Sequence, residues 1–141
     1  MTSLEFFVPS ERIDKRGRPA PLPGANTLFD ANRENRYGGA ALKKRETYRV
    51  AAIAKAEARF HKWRRPGGKV RVVLEWHEVN RRRDQDNITA YQKPLLDGLV
   101  LAGILANDDQ RHIEGCSTNT IVIDKANPGV LVRVETCEEE T

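Results

Sequence analysis

Between Lys69 and Val79 apolar residues recur at every second position. Val70, Val72, Leu74 and Trp76 share one side, and Arg71, Val73, Glu75 and His77 share the other. That period of two predicts a β-strand with one buried face. Residues 4–9, Leu-Glu-Phe-Phe-Val-Pro, read as a short first strand stopped by Pro9. Segments 116–124 and 130–136 read as two further strands, joined by a turn at Asn127-Pro128-Gly129. The period lengthens from about Ala41 to Arg64. There Leu42, Val50, Ile53, Ala56, Phe60 and Trp63 recur at helical steps and predict an amphipathic helix ended by Pro66-Gly67-Gly68. A second helix is predicted up to about Ala102, with Ile88, Tyr91, Leu95, Leu99 and Ala102 on one stripe and Gly103 as C-cap. Pro94 either kinks this helix or opens its main part after a first short turn. Trp63 and Trp76 each lie on an apolar stripe and are expected in the core.

The resulting order is β, long loop, α, β, α, β, β. It predicts an α+β fold with a small mixed sheet of about four strands and two helices on one face. The chain of 141 residues is long enough for one domain, spanning 1–141, and too short for two. Residues 10–39 carry no apolar period and read as a long basic loop, and residues 138–141 as a flexible acidic tail. No apolar run approaches the ~20 residues of a membrane span, and the first residues lack the basic and apolar regions of a secretory leader. The expectation is a cytoplasmic protein with no membrane partner. Cys116 and Cys137 lie far apart, with neither zinc-ligand nor disulfide spacing, and His61, His77 and His112 show no ligand spacing either.

Lys and Arg number 24 against 20 Asp and Glu, a net charge of +4 that permits a polyanionic partner without demanding one. The distribution says more. Arg12, Lys15, Arg16, Arg18, Arg33 and Arg36 lie in the long loop. Lys43, Lys44, Arg45 and Arg49 charge the first turns of the first helix, where positive charge opposes the helix dipole. Arg81, Arg82 and Arg83 run directly into Asp84 and Asp86. Two carboxylates at a spacing of two in extended backbone project to the same side, and a hard cation such as Mg²⁺ takes a few such oxygens plus water and phosphate. The alternative is that these acids pair with the arginines or cap the next helix. No G-x-S-x-G, P-loop or H-E-x-x-H sequence occurs.

Three pieces of the chain, Arg-Arg-Arg-Asp-Gln-Asp-Asn (81–87), Gln-Lys-Pro-Leu-Leu-Asp-Gly-Leu (92–99) and Ala-Gly-Ile-Leu-Ala-Asn-Asp-Asp-Gln (102–110), together resemble the signature of the RusA family of Holliday junction resolvases. The resemblance implies a small α+β homodimer that cuts four-way DNA junctions by paired symmetric nicks with Mg²⁺, for which Mn²⁺ would substitute. It assigns metal-binding acids to Asp84, Asp86 and Asp108, with Asp109 as the alternative third ligand, and a catalytic lysine to Lys93. Arg16, Arg18, Arg33, Arg36, Lys43, Lys44, Arg45, Arg81, Arg82 and Arg83 are the expected DNA contacts. The interval from Asp86 to Lys93 is longer than the family's, and Asn107 stands where the family has the first of two adjacent acids. Asp97, four residues after Lys93, can pair with it across one helical turn. Two other readings stay open: a metal-dependent nuclease acting on other branched or nicked DNA, and a nucleic-acid-binding module without catalysis.

Overall fold

The computed structural model of the chain describes residues 3–27, 38–109, 112–113 and 119–137. Its elements are β1 (Ser3–Pro9), α1 (Gly38–Phe60), β2 (Val70–Glu78), α2 (Gln85–Thr89), α3 (Gln92–Leu101), β3 (Asn119–Ile123) and β4 (Gly129–Thr136). The four strands form one mixed sheet in the order β1-β4-β2-β3. β4 lies antiparallel between β1 and β2, whereas β3 runs parallel to β2 on its far side. The predicted α+β class and four-strand mixed sheet are therefore present. The last two strands do not pair with each other, because the Asn127-Pro128-Gly129 turn carries the chain across the end of β2.

The alternation read from the sequence in β2 sets its buried face, and β1 and β4 alternate likewise. Leu4, Phe6 and Val8 of β1, Val70, Val72, Leu74 and Trp76 of β2, and Val130, Val132 and Val134 of β4 all line the core. Leu95 and Leu99 of α3 and Val50 and Ala54 of α1 cover them. Each fully buried side chain of this size contributes about 1.5–3 kcal/mol. Trp76 is in the core as expected, with its indole N–H donating to Asn119 Oδ1 at 2.9 Å, and Trp63 is half-buried against it.

Helix α1 departs from its predicted stripe. Its buried face runs through Gly39, Glu46, Val50, Ala51 and Ala54, while Phe60 is 79% exposed. An acidic residue in the middle of that face hid it from an apolar pattern. The helix also stops before Pro66. The Trp63 N–H bonds to the Ala58 carbonyl and the Lys62 N–H to that of Arg59, with Lys62 at φ 55°, which is a Schellman stop without glycine.

The second predicted helix is two helices. Pro94 sits in the first turn of α3, where its missing N–H has no intrahelical partner to lose. Its C-terminus is closed as predicted. The Ile104 N–H bonds to the Leu99 carbonyl and the Gly103 N–H to that of Val100, with Gly103 at φ 79°. The predicted loop is in part ordered: residues 12–20 form a small hairpin in which Ile13 bridges Pro19. Asp14 Oδ1 accepts the backbone N–H groups of Arg16 and Arg18 there, which holds its carboxyl below the usual carboxylate range. The rest of the loop from residue 28 to residue 37, with Arg33 and Arg36, and the 138–141 tail lie outside the described residues. No described helix is long and apolar enough to cross a membrane.

Helices α1 and α3 meet at Gly98. A Cβ there would stand 2.7 Å from Val50 Cβ and 2.9 Å from the Thr47 carbonyl oxygen, neither of which can swing aside. In an isolated helix Gly→Ala would gain about 1 kcal/mol, but overpacking costs about 1–3 kcal/mol or more. The Gly98→Ala variant is expected to lose about 1–2 kcal/mol in urea unfolding. A gain in stability would contradict this contact.

Candidate functional site

The parity that places Trp76 in the core places Glu78 there too, at 2% exposure. A lone carboxylate at that depth would be costly. Arg83 meets it through two hydrogen bonds, Nε to Oε1 at 2.8 Å and NH2 to Oε2 at 2.9 Å. The remaining guanidinium nitrogen, NH1, donates to the Leu22 carbonyl at 2.9 Å. Arg83 is therefore an internal strut and not a surface cation, unlike the neighbouring exposed Arg81 and Arg82.

This strut holds the acidic turn. Asp84 is the N-cap of α2, and its Oδ1 accepts the Asn87 N–H at 3.0 Å. Asp86 lies in the first turn of α2, exposed, with no ion pair or hydrogen bond from its side chain among the described residues. Asp84 is extended, but the helix starts at Gln85 and takes in Asp86, so the same-side argument for a D-x-D strand does not apply. Capping, the alternative reading, is realised by Asp84. Asn87 turns its Oδ1 to the Asn26 N–H at 3.0 Å, tying the segment after the hairpin to the turn. Gly24 makes that approach possible: a Cβ there would be 2.4 Å from Asn87 Oδ1 and 2.5 Å from Arg83 NH1.

A second buried acid braces the same region. Glu46, 6% exposed, accepts the Tyr91 hydroxyl at 2.9 Å and two hydrogen bonds from Arg49 at 3.0 and 3.2 Å. Arg49, a basic residue of the first helix, is therefore also turned inward. Burial first, and then the Glu46 charge, push the Tyr91 hydroxyl far above its ordinary range. Arg12 belongs to this interior as well: its NH1 donates to the Pro21 carbonyl at 2.8 Å, and burial followed by the Arg83 charge lower its proton affinity.

Lys93 and the two candidate third acids lie on α3 and the loop after it. Lys93 Nζ is 3.1 Å from Asp97 Oδ1 and 4.0 Å from Asp108 Oδ2, and the Asp97 hydrogen bond chiefly raises its proton affinity. The predicted Lys93–Asp97 pair is present. Asp109 is engaged elsewhere, with its Oδ1 2.6 Å from His112 Nδ1. Of the two candidates, Asp108 is the one beside Lys93. Among the described residues no group of three His, Cys, Asp or Glu side chains is placed to hold a metal ion. One chain as it stands does not gather Asp84, Asp86 and Asp108 into such a group.

The other predicted contacts divide by exposure. Arg16, Arg18, Lys44, Arg45, Arg81, Arg82 and Lys93 are exposed, and Lys43 is half-exposed. Arg18 also pairs with Asp14 at 2.8 Å. The residues that sequence reasoning missed are Glu46, Glu78, Asn87 and Gly24. For Glu78 a signal existed, since it continues the inward parity of Val70, Val72, Leu74 and Trp76; for Glu46 none did, because its partners are distant in sequence. No family model matches the chain, and no curated protein matches it.

Removing one member of a buried ion pair costs about 3–5 kcal/mol, whereas replacing both by apolar residues is often neutral. Arg83→Met is expected to destabilise by that amount, and adding Glu78→Leu to recover most of it, both measured by urea unfolding. Equal losses in the single and double variants would contradict a buried pair. Tyr91 gives a pH test. Its folded-state proton affinity is raised, so its contribution is complete below about pH 10 and is lost as pH rises above that. The wild type should therefore lose stability above about pH 10 more steeply than Tyr91→Phe; parallel pH profiles would contradict the buried hydroxyl.

Proposed function

We propose that this chain is a Mg²⁺-dependent, structure-selective endodeoxyribonuclease that resolves four-way DNA junctions by paired symmetric nicks, acting in DNA recombination and repair in the cytoplasm. The observation that carries this reading is the braced turn that presents Asp86 at the surface, beside Asp84, within the sequence that resembles the RusA signature. Simple polyanion binding gains nothing from carboxylates held at the surface among arginines.

Mg²⁺ keeps much of its water shell and is bound by one or two carboxylates plus substrate phosphate. The donor chemistry of Asp84 and Asp86 fits that demand, with Asp108 as the further acid, although it does not make an all-protein cage. When bound, Mg²⁺, or Mn²⁺ in its place, would supply Lewis acidity toward the phosphate and make a water more acidic. The chain's own residues do the rest. Asp97 and then Asp108 favour the charged form of Lys93, and its ammonium can meet the negative charge that develops on a phosphate. Arg81, Arg82, Lys43, Lys44, Arg45, Arg16 and Arg18 supply exposed positive charge for the sugar–phosphate strands. Such contacts position DNA without reading its sequence. A homodimer with two-fold symmetry would present two such sites to the two equivalent strands of a junction.

A second reading, a nucleic-acid-binding module without catalysis, is favoured by one observation: the lack of a three-ligand group among the described residues. Synthetic DNA substrates separate the readings. The wild type is expected to make paired nicks in opposing arms of a four-way junction with Mg²⁺ and none with EDTA. The Asp86→Asn variant should cut roughly 100-fold more slowly while binding the junction as the wild type does. Cleavage at an unchanged rate would remove Asp86 from the site. Binding without any Mg²⁺-dependent cleavage would favour the module, and preference for flaps or nicks would redirect the substrate. If about six cations engage phosphates, log K should fall with log salt at a slope of about −5. A flat response would exclude phosphate-led binding.

A further inference from the structure

The helices that Gly98 brings together leave an open cleft of about 470 Å³ between α1 and α3. Its chemistry is mixed in an informative way. Tyr48 and Leu101 line it and are 56% and 55% exposed, so two large apolar surfaces stand in solvent on neighbouring helices. Val100 continues the apolar wall. Lys43 and Lys44 form its cationic side, with Lys44 Nζ 6.0 Å from the centre of the Tyr48 ring. Asp97 closes the set, and its Oδ1 also receives Lys93.

We propose that this cleft seats one unpaired nucleobase of a branched DNA, with the Tyr48 ring as its stacking face. The proposal rests on the nucleic-acid reading above and names a part of the substrate that reading leaves open. An aromatic face bordered by lysines is the arrangement that binds unpaired bases, since stacking serves any base while the cations meet the adjoining phosphates. A base within a duplex has both faces covered and cannot enter, whereas a branch point or gap frees one. The carboxylate of Asp97 is an acceptor suited to an exocyclic amino group, which favours adenine, cytosine or guanine over thymine. Asp97 is also the partner of Lys93, so a base seated here would lie next to the Lys93–Asp108 pair. A second copy of the chain is a poorer occupant. Meeting about a two-fold axis through the cleft, it would set Lys43 and Lys44 against their own images.

The test uses the full chain in EDTA, so that nothing is cut. The probes are a four-way junction and a gapped duplex, each with 2-aminopurine at the unpaired or branch position, and an unbroken duplex of equal length. The wild type should quench 2-aminopurine on binding the branched and gapped probes. Tyr48→Ala should weaken binding to these two by between about five-fold and a hundred-fold and abolish the quench, with duplex binding unchanged. Tyr48→Phe should keep both affinity and quench. The proposal is overturned if Tyr48→Ala binds and quenches like the wild type, or if it weakens all three probes equally. It is overturned too if the variant changes only the sedimentation of the free protein, which would make the cleft a contact between copies. A wild type that binds none of the probes would overturn this proposal and the function above together. Quenching that depends on Tyr48 in a protein that never cuts DNA would uphold this proposal and remove only the catalytic part of that function.

Discussion

The carboxylate of Glu78 is buried because β-strand parity leaves it nowhere else to point, and the two hydrogen bonds from Arg83 make that burial tolerable. Most of the architecture around the candidate site depends on this pair. Its members stand five positions apart, so forming it folds the chain back sharply at the end of β2 and sets where α2 must begin. The third guanidinium nitrogen reaches Leu22, and Asn87 reaches Asn26, so the segment after the N-terminal hairpin is fastened to the same turn. A buried ion pair seldom adds much net stability over apolar residues of the same volume, but it admits few alternative geometries. That is the property a surface acid such as Asp86 needs from its support.

Charge in this chain is divided between two tasks that composition does not separate. Arg12, Arg49 and Arg83 turn inward, the last two onto the buried Glu46 and Glu78. Arg16, Lys44, Arg45, Arg81 and Arg82 turn outward. Because the inward arginines are balanced largely by buried acids, the outer surface keeps the positive excess. The candidate phosphate contacts are therefore fewer than a count of basic residues suggests. They also lie on separate elements, the hairpin, the start of α1 and the turn after β2, joined through one polar interior.

The elements were legible where one physical signal dominated. Period two in β2 and the glycine stop after α3 follow from local rules. What was not legible depended on partners distant in sequence. The buried face of α1 passes through Glu46, which reads as a surface residue until Tyr91 and Arg49 are known to meet it. β3 lies beside β2, not β4, which no local period encodes. In the candidate site the acids and Lys93 could be named through the resemblance to the RusA signature. Their support could not, because Arg83 among three consecutive arginines carries no mark of its inward course. Gly98 and Gly24 could be seen in the sequence, but their reasons are contacts with Val50 and with Asn87.

The braced turn should exist before any ion or DNA arrives. Amide hydrogen exchange of the chain in EDTA tests this most directly, at the Asn87 N–H held by Asp84 and the Asn26 N–H held by Asn87. Both amides should be protected without divalent ions, and both should speed up together in Arg83→Met. Protection that appears only on adding Mg²⁺, or that survives the loss of Arg83, would contradict a turn held by the buried pair.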